Sequence, residues 1–85
     1  MNLRELRKQA GLSQYDVGKR LNVDQAAVSN WERGKNTPLR KYHGRLARLY
    51  GAEVKTIVAA AEQSMKERTV KANGMEESNE RTESI

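Results

Sequence analysis

Between Leu12 and Gly34 lie two short helical patterns with only Asn22, Val23 and Asp24 between them, and this short junction limits the fold more than anything else in the chain. Ser13 is a good N-cap for the first pattern, where Val17 and Leu21 lie one turn apart and Asp16 suits the positive end of the helix. Asn22 is suited to the left-handed conformation that stops a helix, and Asp24 is predicted to cap the next one, Gln25 to Arg33. Val28 and Trp31, with Ala27 beside them, form its buried stripe, and Gly34 ends it. Helices joined by so little chain must cross steeply. Gly18 leaves room for the second of the pair to approach, and Val23 plugs the turn.

Three more patterns flank this pair. Asn2 caps a helix running to about Gln9, with Leu3, Leu6 and Ala10 on one face and Gly11 as its stop. After Gly34, the residues Lys35, Asn36, Thr37 and Pro38 read as a loop in which Thr37 caps and Pro38 opens a fourth helix. That helix reaches about Tyr50, with Leu46, Ala47 and Tyr50 as core and Gly51 as stop. A fifth begins near Glu53 and is predicted to turn Val54, Ile57, Val58 and Ala61 inward. Its apolar pattern thins after Gln63, and from Ala72 to Ile85 no periodicity offsets the entropy of ordering. The expectation is an all-α, five-helix domain over residues 1–66, followed by a frayed helix end and disordered acidic tail over 67–85.

At 85 residues the chain has room for one domain. It has no cysteine, hence no disulfide framework, thiolate metal site or thiol nucleophile. Its single histidine, His43, has no carboxylate pair in its pattern, so no metal, cofactor or catalytic site is expected and the protein does not read as an enzyme. No run approaches the ~18 apolar residues of a membrane span, and the first residues are polar and helical rather than signal-like. A cytoplasmic location is the expectation, with no membrane or small-molecule partner.

The net charge is +5 and unevenly spread. Up to Ala61 there are 12 Lys/Arg against 5 Asp/Glu; from Glu62 onward there are 4 against 6. A basic body suits a polyanionic partner. With Val28 and Trp31 inward, Gln25, Ala26, Ser29, Asn30 and Arg33 must face out. Amides donate to and accept from one adenine edge together, and a small alanine admits a thymine methyl. This surface suits the major groove of double-stranded DNA.

The stretch LSQYDVGKRLNVDQAAVSNWERGKNTP resembles the Cro/C1-type, or XRE, helix-turn-helix family, which includes the lambdoid phage repressors. The likeness runs without gaps from about Leu3 to Val58, and VSNWERGKNTP is its most specific part. The resemblance implies a lambda-repressor-like fold and a sequence-specific transcriptional regulator, most often a repressor. It implies base contacts from Gln25, Ala26 and Asn30, with Ser29 beside them. Gln14 matches a glutamine that contacts phosphate and braces the first recognition side chain. Arg33, Lys35 and Asn36 match phosphate-gripping positions, which Arg40 and Lys41 extend. Arg7 and Glu32 match an interior salt bridge. Family members often dimerise through the fifth helix, which makes Leu49, Ile57, Val58, Met65 and Val70 candidates for a homodimer interface on a palindromic site. Half-sites would then lie about one helical turn, ~34 Å, apart.

The chain departs from the family pattern in two places. Gly18 stands where alanine is usual. In the fourth helix Arg40, His43 and Gly44 take usually apolar positions, while Leu39, Tyr42 and Leu49 take polar ones, implying a rotated helix or an apolar outer face. Two other readings fit the sequence. One is a DNA-binding antitoxin whose tail neutralises a toxin, which a toxin-like reading frame beside the gene would reveal. The other is a protein-interaction module without DNA, against which the outward Gln25 and Asn30 with basic flanks argue.

Overall fold

The computed structural model describes the backbone of residues 1–79 and the side chains of residues 1–68. Among these residues there are five α-helices and no strand: α1 Leu3–Gln9, α2 Gln14–Leu21, α3 Gln25–Glu32, α4 His43–Tyr50 and α5 Val54–Asn79. A 3₁₀ turn at Arg40–Tyr42 leads into α4. No helix among the described residues is long and apolar enough to cross a membrane.

The first two helices start as their sequences dictate. Asn2 accepts from the Glu5 amide while Glu5 accepts from the Asn2 amide, and Ser13 and Asp16 repeat this reciprocal capping box on α2. Helix ends are equally regular. After α3 the Gly34 amide donates to the Trp31 carbonyl at 3.2 Å and the Lys35 amide to Asn30 at 2.9 Å, the paired bonds of a Schellman stop. Asn22 closes α2 in the left-handed region at φ 60°.

Two expected starts differ. Asp24 precedes α3 but its side chain caps nothing; the Ala27 amide, which such a cap could satisfy, is taken by the Asp24 backbone carbonyl at 2.9 Å. Thr37 and Pro38 do not open the fourth helix. Residues 37–39 have no regular structure, Pro38 is buried as a packing residue, and the helix is entered three residues later through the 3₁₀ turn.

One core joins all five helices. Leu3 and Leu6 of α1, Val17 and Leu21 of α2, Val28 and Trp31 of α3, Leu46, Ala47 and Tyr50 of α4, and Ile57, Ala60 and Ala61 of α5 are buried together. Burial pushes the Tyr50 phenol far above its ordinary pKa, with the Glu32 carboxylate adding to the effect. The inward face of α5 is rotated from the one expected: Val54 and Val58 are exposed, and Ala60 and Ser64 take the interior. Small residues there let the α5 backbone come close. Ser64 Oγ accepts from the Leu3 amide at 3.3 Å and donates to the Ala60 carbonyl at 3.1 Å, so the buried hydroxyl is satisfied. No residue beyond Ser64 is buried among the side chains described. The α5 backbone nevertheless continues helically over 72–79, a correction to the irregular chain expected there; Ala72, Met75, Glu76 and Glu77 are good helix formers and offset in part the poor propensity of Gly74 and the two asparagines. Residues 80–85 of the expected tail lie outside those described.

Gly34 fixes how α5 meets α3. Its φ is +74°, and a Cβ there would lie 2.4 Å from the Ser64 carbonyl oxygen and 2.9 Å from the Met65 Cα. Both are backbone atoms of α5, so neither can turn aside. Gly34→Ala is predicted to cost about 1–2 kcal/mol for the left-handed conformation and about 1–3 kcal/mol for overpacking. Gly51, at φ +63° with nothing within 4 Å of its Cβ position, faces only the conformational cost. Thermal denaturation of the two alanine variants checks this: equal losses would rule out the close approach of α5.

Candidate nucleic-acid interface

The close approach of the turn and the start of α3 to α2 depends on Gly18. A Cβ at that position would meet the Val23 carbonyl oxygen at 2.9 Å and the Gln25 amide nitrogen at 3.4 Å. The Val23 amide also donates to the Gly18 carbonyl at 2.9 Å. The usual alanine of this position would press on the turn itself, which is a physical reason for the departure noted in the sequence.

The inward side of α3 is locked by Val28 and Trp31, whose ring centroid lies 5.7 Å from that of Tyr42 at an interplanar angle of 42°. Tyr42 is thus half-buried rather than outward, and of the unusual apolar residues around the fourth helix only Leu39 is fully exposed. The outward side carries Gln25 and Ala26, both exposed, with Ser29 and Asn30 half-buried one turn on. Arg33 Nη2 donates to Asn30 Oδ1 at 2.9 Å, which fixes the plane of the Asn30 amide and leaves its NH₂ group unoccupied by that bond.

A chain of polar contacts runs from this surface into the interior. Gln25 Nε2 donates to Gln14 Oε1 at 3.5 Å, the outer limit of a hydrogen bond, and Gln14 Nε2 donates to Glu32 Oε1 at 3.0 Å. Glu32 in turn holds Arg7, Nε to Oε2 at 2.5 Å and Nη2 to Oε1 at 3.1 Å. Arg7 Nη1 donates to the Leu12 carbonyl at 2.9 Å. The side chains of Arg7 and Glu32 are 10% and 4% exposed, so the pair is interior. The Glu32 hydrogen bond pushes the Arg7 pKa further up, against the opposing effect of burial. The α1–α3 tie read from the sequence is present, and Gln14 joins it to the outer surface.

The expected phosphate contacts beyond α3 are accessible. Arg33, Lys35, Asn36, Arg40 and Lys41 are all exposed. The Lys41 ammonium rests over the Tyr42 ring at 5.2 Å, and Lys19 over exposed Tyr15 at 5.9 Å. His43 is half-buried with Nε2 3.2 Å from the Pro38 carbonyl, to which a proton on Nε2 is donated, giving the ring a packing role. No cluster of His, Cys, Asp or Glu able to hold a metal occurs among the described residues.

The sequence pattern did not flag Ser64, Arg4 or Arg68, which share a cleft with Gln14, Gln25 and Arg33. Only the fold of α5 across the start of α1 brings them there.

Two tightly crossed helices, the second anchored on one side and polar on the other, within a basic five-helix body, define a helix-turn-helix domain. A family model described as helix-turn-helix matches residues 3–56, and the chain belongs to that Cro/C1-type (XRE) family. Domains of this family bind DNA and are not enzymes. No curated protein and no solved structure matches the chain.

Proposed function

We propose that the protein is a sequence-specific regulator of transcription, acting as a repressor in the cytoplasm, that lays α3 in the major groove of double-stranded DNA. The observation that carries this is the polar outward face of α3, set by the buried Val28 and Trp31, on which Gln25 lies beside Gln14, itself bonded to the interior Arg7–Glu32 pair. Surface glutamines are ordinarily unrestrained; a glutamine oriented from the core loses less entropy when it meets a base edge. Gln25, Ala26, Ser29 and Asn30 read bases, and Gln14, Arg33, Lys35, Asn36, Arg40 and Lys41 grip phosphates. Phosphate contacts supply most of the affinity and its salt dependence, while each bidentate amide contact discriminates by about 1–3 kcal/mol.

One recognition helix spans few base pairs, so useful selectivity calls for a homodimer on a palindromic site. Exposed Val58 and Met65 of α5 and half-buried Leu49 of α4 fit such an interface. Ile57, another candidate, is 0% exposed and belongs to the core. The Val70 side chain lies outside those described.

Selection of binding sites from random duplexes tests the assignment. Gln25→Ala and Asn30→Ala are expected to flatten the selected motif while leaving helicity and salt-sensitive binding in place. An unchanged motif in both variants would refute the reading of bases by α3.

A further inference from the structure

A cleft of about 840 Å³ opens beside the recognition surface. Gln14 of α2 with Gln25 and Ser29 of α3 line it together with Arg4 of α1 and Arg68 of α5. The α1–α5 part of the lining is held in place. Asn2 Nδ2 donates to Glu67 Oε1 at 2.8 Å and Gln63 Nε2 donates to Glu67 Oε2 at 3.1 Å. Ser64 is bonded to the Leu3 amide, and the α5 backbone sits against Gly34. Arg68 therefore follows directly on a residue tied to the cap of α1.

The charges of the cleft are unbalanced. Its lining carboxylates are Glu32, engaged by Arg7 and Gln14, and Glu67, engaged by two amides. Its remaining guanidinium groups are Arg4, Arg33 and Arg68, and none of the three forms an ion pair among the described residues. A helix in a major groove about 12 Å wide has a sugar–phosphate strand running along each flank. Gln14 and Gln25 share the cleft with these cations, so a strand passing Gln14 along α3 would run beside them.

We propose that Arg4 and Arg68 grip the phosphodiester strand bordering the groove on that flank, so that α5 is part of the DNA interface and extends the footprint beyond the helix-turn-helix. This rests on the placement of α3 in the groove. It adds two phosphate contacts without adding base selectivity.

Titration of a short fluorescent duplex with the full chain, at a series of salt concentrations, tests it. Each phosphate contact contributes about 0.9 to the slope of log affinity against log salt. Arg4→Ala and Arg68→Ala are each expected to flatten the slope by about that amount, and the double variant by about twice it. Arg48→Ala, beside Arg20 and Arg45 on a separate surface, keeps the parental slope. A parental slope in the Arg4→Ala/Arg68→Ala variant, with a flattened one in Arg33→Ala, overturns the cleft assignment and leaves the α3 reading standing. Parental slopes in both variants overturn both readings. The substituted side chains are exposed, so helicity by circular dichroism should match the parent.

Discussion

Trp31→Ala is expected to abolish the cooperative thermal transition at physiological temperature. The indole is 7% exposed, packs against Tyr42, and anchors α3 in a core drawn from all five helices. Truncating a buried tryptophan costs about 3–5 kcal/mol, because contacts are lost and the cavity cannot fully close. At about 0.05–0.15 kcal/mol per residue, a chain of this size holds roughly 4–13 kcal/mol in total. The loss therefore removes much or all of the margin. Trp31→Phe keeps an aromatic ring against Tyr42 and should retain a cooperative, lower transition. Far-UV circular dichroism on heating separates the cases, and an alanine variant melting within a few degrees of the parent would deny Trp31 its anchoring role. DNA binding should fall in parallel with folding, since the recognition surface exists only while α3 is docked.

Helix ends were the most legible part of this fold because they are decided locally. The Asn2/Glu5 and Ser13/Asp16 boxes each depend on residues three apart, and Asn22 and Gly34 stop their helices through their own backbone preferences. Most of what failed was decided at a distance; the unused Asp24 cap alone is local, since the Asp24 carbonyl already takes the Ala27 amide. Val54 and Val58 outrank Ala60 and Ser64 in hydrophobicity, yet the latter pair is buried. The governing quantity is how closely α5 can approach Gly34 and the start of α1, and only small side chains permit that approach. The misplaced start at Thr37 and Pro38 has a similar origin: the proline is buried against the body, so it packs instead of opening a helix.

The candidate interface divides the same way. Which side chains of α3 face outward follows from Val28 and Trp31 facing in, and periodicity alone shows it. The bond between Arg33 and Asn30 joins residues one turn apart and could have been suspected from spacing. The cleft could not. Residues Asn2 and Glu67 lie 65 positions apart, and no local pattern links them.

Glu32→Ala should be as damaging as the loss of Trp31, for an electrostatic reason. It would leave the Arg7 guanidinium, in a residue 9% exposed, with only the Leu12 carbonyl for a partner. Removing one member of a buried ion pair costs about 3–5 kcal/mol, most of it the penalty of an uncompensated charge. The pair itself need not be a net stabiliser, since apolar pairs of similar volume often do as well. Arg7→Met/Glu32→Leu is therefore predicted to recover most of the stability lost in Glu32→Ala, a coupling readable from denaturant midpoints in a double-mutant cycle. Recovery of stability should not bring recovery of selectivity. Gln14 loses its 3.0 Å bond to Glu32 in either variant, and with it the brace on Gln25. A folded double variant that still binds duplex DNA but selects a weaker motif would assign the pair two separable roles, one in joining α1 to α3 and one in orienting the amide that reads the groove. If instead the double variant selects the parental motif in full, the brace on Gln25 plays no part in recognition.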